Sequence, residues 1–140
     1  MTQANPMIAP AIALVLWSGV IWAWMYVTRI PAIYKARMKL DPMAPRGEQM
    51  ATLPAKVRWK ADNYNHLMEQ PTVFYAVAIV LALAGGSGLD AQLAWGYTGL
   101  RVVHSLVQAT SNNVNVRFPI WGLGSIVLIV MTVRAAMLVF

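Results

Sequence analysis

The sequence predicts an all-α fold, a transmembrane four-helix bundle, and three observations lead to it. The 140 residues are 59% hydrophobic and only 11% charged, whereas a soluble domain carries roughly 25% charged residues. Residues 8–27 form a stretch of twenty residues without a charge. Eight of the eleven Lys and Arg residues fall between Arg29 and Lys60, a concentration typical of a cytoplasmic loop beside membrane spans. A chain of this length forms a single domain, residues 1–140.

The first predicted span covers about residues 8–28. Its uncharged stretch is long enough to cross about 30 Å of hydrocarbon, and Trp24 and Tyr26 lie toward the end where interfacial aromatic residues concentrate. Arg29 and Pro31 are expected to end this span. The N-terminus has no basic segment and no small-residue cleavage site after the apolar run, so we expect a retained span and not a signal peptide.

Three further spans are predicted at about residues 62–85, 91–110 and 118–138. The apolar run of the second span is too short by itself, so its helix is expected to begin near Asp62 and to include polar residues. A glycine-rich stretch, residues 85–90, predicts a tight turn before the third span. Residues 111–117 form a polar connection to the fourth span.

The charge distribution also predicts the orientation of the chain. Loops rich in Lys and Arg stay in the cytoplasm, which places the first loop, about residues 29–61, on that side. Four spans then place both termini on the opposite side. The net charge of +6 is thus a topology signal, and no exposed basic face suited to nucleic acid is expected.

The third span carries a polar stripe, which we define as Arg101, His104 and Gln108. These residues are spaced at i, i+3 and i+7, so they share one face of a helix. An arginine in mid-membrane costs roughly 2.5–3.5 kcal/mol on insertion scales, so it should face a partner or a hydrated cavity. The stripe is therefore expected to point inward, either into a functional site or into a polar seam that packs helices together.

A second polar group precedes and enters the second span: Asp62, Asn63, Asn65, His66 and Glu69. Several of these residues share a helical face. Glu69 is the expected partner of Arg101, because a buried charge is tolerated mainly when it is paired. The simpler interpretation of Asp62 and Asn63 is a solvated helix end.

Several kinds of chemistry are disfavoured by composition and spacing. The chain has no cysteine, so it offers no thiolate metal ligand and no cysteine nucleophile. No metal site is expected, since His66 and His104 lie on different helices without dense ligand spacing. A serine hydrolase is also disfavoured, because Ser105 adjoins His104 and points in another direction.

Two segments resemble the signatures of a known family. The run from Asn65 to Tyr75, NHLMEQPTVFY, is similar to the second-helix signature of the MAPEG family (membrane-associated proteins in eicosanoid and glutathione metabolism), especially its bacterial branch. The run RVVHS from Arg101, followed by Asn113 and Arg117-Phe118, is similar to the third-helix signature and the connection after it. The resemblance covers about residues 17–133. It implies a left-handed four-helix bundle, a homotrimer and, for the bacterial branch, an inner-membrane location.

The resemblance also implies a ligand and a set of site residues. Enzymatic members bind glutathione as cosubstrate between subunits, near the cytoplasmic side, and act on a lipophilic small molecule that arrives from the bilayer. Arg117 corresponds to the arginine that stabilises the glutathione thiolate, and is the expected catalytic residue. The residues expected to bind glutathione are Asn65, His66, Glu69, Arg101, His104, Gln108 and Arg29.

Three functions follow as alternatives. The first is a glutathione-dependent transferase or peroxidase acting on lipophilic electrophiles. The second is a noncatalytic lipid-binding or scaffold protein of the same fold, because active eukaryotic members of the family have a tyrosine where this chain has Gln108. The third is a small multidrug transporter, but such transporters depend on a carboxylate in the first span, and this chain has none there.

Overall fold

The structure is a computed structural model that describes residues 5–140, and in this range the secondary structure is entirely helical. The chain therefore has the all-α fold that the sequence predicts. The helices are α1 (Ile8–Lys35), α2 (Glu48–Ala51), α3 (Ala55–Leu67), α4 (Gln70–Leu83), α5 (Gly88–Thr110) and α6 (Val114–Val139).

Helix α1 is longer than the predicted first span. The expectation that Arg29 and Pro31 end it was wrong for the helix, which contains Pro31 and continues to Lys35. A proline inside a helix removes the hydrogen bond that its own N–H would donate and distorts the turn before it, but it does not end α1. The ladder persists beyond it, because the N–H of Ala36 still donates to the carbonyl of Ala32 at 3.0 Å.

Helices α3 and α4 follow one another with a short break. Helix α3 begins at Ala55, seven residues before the predicted start at Asp62. Pro71 cannot donate a backbone hydrogen bond, and its ring would clash with the carbonyl four residues earlier. The helix is interrupted just before it, where Glu69 has φ −90° and ψ −102°. This break turns the Glu69 side chain out of the regular helical pattern.

Within residues 5–140, three segments are long and apolar enough to cross a membrane: Ile8–Lys35, Ala55–Leu83 and Val114–Val139. This finding fits the predicted integral membrane protein. Helix α5 is not among them, because it carries the polar stripe and Asp90. It packs against α1, α3 and α6, while α4 packs against α1 and α6.

The core lies where these helices meet, and apolar side chains dominate it. Phe74 of α4 and Tyr97 of α5 stack with ring centroids 4.4 Å apart. Further fully buried side chains come from every long segment: Leu14, Ile21, Leu81 and Met131. Polar residues of α5 are buried beside this core, so the core positions the polar stripe.

The turn between α4 and α5 is tight, as its glycines predict. Gly85 has φ +79°, a conformation open to glycine at no steric cost. A Cβ at Gly86 would lie 2.9 Å from the carbonyl oxygen of Leu81. Asp90 was expected in the turn. It is instead the third residue of α5, where it forms a capping box with Ser87. The box fixes the start of α5.

Candidate functional site

A cleft of about 420 Å³ opens where α5 passes into α6. Its walls come from α3, the α3–α4 break, α5 and the first turns of α6. The lining residues are Asp62, His66, Glu69, His104, Gln108, Val114, Arg117, Phe118 and Trp121. One wall is polar and charged and the other is apolar, so the cleft suits an amphiphilic ligand.

On the polar wall, His66 contacts three other polar residues: Glu69, Arg101 and His104. Its Nδ1 lies 2.8 Å from Oε2 of Glu69, and its Nε2 lies 3.5 Å from Nη1 of Arg101. A neutral imidazole with its proton on Nδ1 satisfies both contacts, since it donates to the carboxylate and accepts from the guanidinium. The ring also lies 4.9 Å from the ring of His104. His66 therefore links the second and third predicted spans.

Arg101 is 2% exposed and lies behind His66. Its Nε donates to the hydroxyl of Tyr97 at 3.0 Å, while its Nη2 is buried and has no hydrogen-bond partner among the described residues. The direct pairing with Glu69 was wrong: among residues 5–140, no carboxylate oxygen lies within 4.0 Å of this guanidinium. The break before α4 turns the Glu69 carboxylate toward His66 instead, and it remains 67% exposed.

A chain of hydrogen bonds holds Arg101 from the other side. The Tyr97 hydroxyl donates to Oε1 of Gln70 at 3.2 Å, and Nε2 of Gln70 donates to Oγ of Ser125 at 2.9 Å. The chain thus runs from α5 through α4 to α6. All side chains in this hydrogen-bond chain beyond Arg101 are neutral, so they hold its guanidinium in place without compensating its positive charge.

The polar stripe on α5 faces inward, as predicted. His104 and Gln108 are 4% and 5% exposed, and both line the cleft. Oε1 of Gln108 is buried and has no hydrogen-bond partner in the part of the chain that the structure describes. A buried acceptor without a donor costs roughly 1–3 kcal/mol, so this oxygen is available to a ligand donor.

Arg117 was expected in the polar connection before the fourth span, but it lies in the first turns of α6. Helix α6 begins at Val114, and the side chain of Asn113 caps it by accepting from the N–H of Asn115 at 3.0 Å. The cap places Arg117 half-buried on the cleft wall. Its neighbours Phe118 and Trp121 form the apolar wall, with ring centroids 6.0 Å apart.

Three predicted binding residues do not line the cleft: Arg101, which lies behind His66, and Asn65 and Arg29. Asn65 is exposed and does not line it. Arg29 lies on α1, also away from the cleft lining, and its Nε is buried without a partner. Asn63 is instead the buried asparagine of α3: its Nδ2 donates to Oγ of Ser105 at 2.6 Å, and its Oδ1 has no partner.

Sequence reasoning missed the apolar wall and the role of Asn63. The signal for Trp121 was present, because it lies four residues after Arg117 and therefore on the same face of a helix. Asn63 gave no comparable signal, since its partner Ser105 is 42 residues away. Among residues 5–140 no group of three His, Cys, Asp or Glu side chains is arranged to hold a metal ion.

No curated protein and no solved structure matches the chain. The model of the MAPEG family does match, over residues 7–137. Because this match spans nearly the whole chain and includes every segment that lines the cleft, the chain belongs to the MAPEG family.

Proposed function

We propose that this MAPEG protein joins glutathione to lipophilic electrophiles in the cleft between α3, α5 and α6. The observation that carries the proposal is the lining of the cleft: a cation, Arg117, stands between a polar wall and an aromatic wall. Glutathione carries charged groups of both signs and a thiol, and a lipophilic electrophile needs an apolar surface. The two walls match these two reactants.

Arg117 is the proposed catalytic residue. A free thiol has a pKa near 8.5, and an adjacent cation favours the thiolate, which is the better nucleophile. With a chlorinated aromatic substrate, the sulfur forms a bond to the ring carbon and chloride leaves with the bonding electrons. The thiol proton passes to solvent. A hydroperoxide would be the electrophile in the peroxidase version of this function.

The polar wall is the proposed binding surface for the rest of glutathione. Glu69 would receive the amine, and His66, His104 and Gln108 would bind its polar backbone. Arg101 lies one layer behind His66 and would supply positive charge to the site. Asn65 and Arg29 lie outside the cleft of one chain, so their contribution would need a site formed between subunits.

The proposed assembly is a homotrimer in which α5 is also a membrane span. Helix α5 connects the turn at the far end of α4 to the cleft end of α6, and its 23 residues are about 34 Å long. We further propose that the first loop is cytoplasmic, that both termini face the other side, and that the membrane is a bacterial inner membrane. Native mass spectrometry in detergent would measure the number of chains.

The decisive experiment is a glutathione titration of wild type and Arg117→Ala by calorimetry, with turnover of 1-chloro-2,4-dinitrobenzene measured in parallel. We expect Arg117→Ala to reduce turnover at least 100-fold, within the range for removal of one charge-stabilising group, and Arg117→Lys to retain part of it. Arg46→Ala is the matched control, because Arg46 is exposed and lies outside the cleft. Equal binding and turnover in Arg117→Ala and Arg46→Ala would refute the proposal.

A second function, noncatalytic binding of a lipophilic molecule, is favoured by another cavity. This apolar cavity of about 360 Å³ lies between α1 and α4. Its lining residues are Met7, Ile8, Ala11, Ile12, Val15, Tyr75, Ala78, Ile79, Ala82 and Leu83. Binding of a fluorescent fatty acid that glutathione does not alter, without turnover of any electrophile, would support this function over the first.

A further inference from the structure

The segment between the first two predicted spans is strongly basic and lacks compensating charge. Residues 35–60, which we call the basic segment, contain seven Lys and Arg residues and only two carboxylates, Asp41 and Glu48. The ion pairs found among residues 5–140 lie elsewhere, at His66–Glu69 and Arg134–Asp90. Among the described residues, no carboxylate therefore lies within 4.0 Å of a cationic nitrogen of the basic segment.

The basic segment is folded rather than extended. The side chain of Gln49 donates to the carbonyl of Lys39 at 2.7 Å and accepts from the N–H of Asp41 at 3.0 Å. The carboxylate of Asp41 in turn accepts from the N–H of Met43 at 2.8 Å. These contacts fix the shape of the loop on the short helix α2.

This fold presents apolar side chains among the basic ones. Leu40 is 62% exposed and Met43 is 87% exposed, and Arg37, Lys39 and Arg46 around them are exposed as well. Arg37 has φ +49°, the left-handed conformation that usually selects glycine after a helix. A large cation thus occupies a position where glycine would be less strained.

The position of the basic segment indicates its binding partner, the headgroups of the membrane. Helix α1 has 28 residues and is about 42 Å long, so it exceeds the roughly 30 Å of hydrocarbon and its end reaches the headgroup region. Basic residues close to a membrane surface bind anionic lipids, and adjacent apolar side chains insert at the boundary of headgroups and acyl chains.

We propose that the basic segment is a docking surface for anionic phospholipid headgroups. Arg37, Lys39 and Arg46 bind the phosphates, and Leu40 and Met43 insert between the lipids. The loop is thereby held flat on the bilayer. None of residues 35–60 lines the cleft, and the inference does not depend on the proposed function.

The absence of cysteine from the chain allows a direct test. A Met43→Cys variant carries one environment-sensitive fluorophore and is reconstituted into vesicles of phosphatidylcholine, with or without 30% phosphatidylglycerol. We expect a blue shift and reduced quenching by acrylamide only in the anionic vesicles, and reversal by high salt, which screens surface charge. Each basic residue near the surface changes the affinity about fivefold, so adding Arg37→Gln, Lys39→Gln and Arg46→Gln should abolish the shift.

Leu89→Cys is the matched control. Leu89 is 50% exposed, and it lies at the start of α5, beside a turn without basic residues. Its label should give the same signal in both kinds of vesicle, while circular dichroism verifies that all variants fold. The proposal is overturned if the Met43 label responds equally in neutral vesicles, if the triple substitution leaves the shift intact, or if the Leu89 label shifts as much.

Discussion

Two buried polar centres lie on α5, one at its start around Asp90 and one in its second half around Arg101, and they differ in how their charges are paired. At the start of α5, the fully buried Asp90 accepts from Arg134 of α6, whose Nη2 lies 3.1 Å from Asp90 Oδ2, and also caps the helix through Ser87. In the second half of α5, Arg101 has a phenol and an imidazole as partners; within residues 5–140 it has no carboxylate partner, and its Nη2 has no hydrogen-bond partner.

This difference separates a structural centre from a binding centre. Both carboxylate oxygens of Asp90 have partners within the chain, which is the pattern of a structural centre. The Arg101 centre leaves buried hydrogen-bonding groups unsatisfied beside the cleft, which costs stability. Groups of this kind are expected where a ligand completes the hydrogen bonds.

The largest effect should come from breaking the complete centre. Asp90→Ala removes the carboxylate that pairs with Arg134 and the acceptor of the helix cap, so we expect a loss of about 2–4 kcal/mol in the free energy of unfolding. Thermal denaturation in detergent measures the loss. Leu89→Ala, one residue earlier on the exposed side, is the control. An Asp90→Ala variant as stable as this control would show that the centre is not structural.

The opposite result is expected at the other centre. Arg101→Leu replaces a buried cation that lacks a carboxylate partner, and such replacements are often neutral or stabilising. We expect the stability to change by less than about 1 kcal/mol or to rise, whereas glutathione binding measured by calorimetry should fall at least tenfold.

A double variant sharpens this comparison. If Glu69 balanced Arg101 directly, adding Glu69→Gln to Arg101→Leu would restore stability. Glu69 contacts His66 instead, so the double variant should melt at the same temperature as Arg101→Leu. A clear rescue by Glu69→Gln would show that the two charges interact after all.

The sequence predicted the elements of this comparison better than their connections. Spacing along α5 identified the inward face of Arg101, His104 and Gln108, because helical periodicity determines which residues of one helix share a face. Periodicity does not determine which neighbouring helix meets that face. The break before Pro71 also shifted Glu69 out of phase with α3, and this shift moved it from the expected partner Arg101 to His66.

The same limit explains the residues that were missed at each centre. Asp90 was predicted in a turn, since its glycine neighbours dominate the local signal, while its partner Arg134 is 44 residues away. Asn63 and Ser105 meet only through the packing of α3 on α5. Long-range contacts of this kind depend on the packing of several helices together, and no local pattern encodes them.

The smallest expected effect concerns one oxygen atom at the binding centre. Gln108→Leu keeps a similar side-chain volume but removes the unpartnered Oε1 that lies against the cleft. Stability should not decrease, since an unsatisfied buried acceptor is lost. If a ligand donates a hydrogen bond to this oxygen, Gln108→Leu should lower glutathione affinity about fivefold to tenfold, the equivalent of one hydrogen bond of about 1 kcal/mol.

Gln70→Leu is the informative counterpart, because both polar atoms of Gln70 already have protein partners. Gln70→Leu should lose stability, and Gln108→Leu should not. If Gln108→Leu instead lowered the melting temperature as Gln70→Leu does and left glutathione affinity unchanged, the cleft end of α5 would be a structural seam like the Asp90 end.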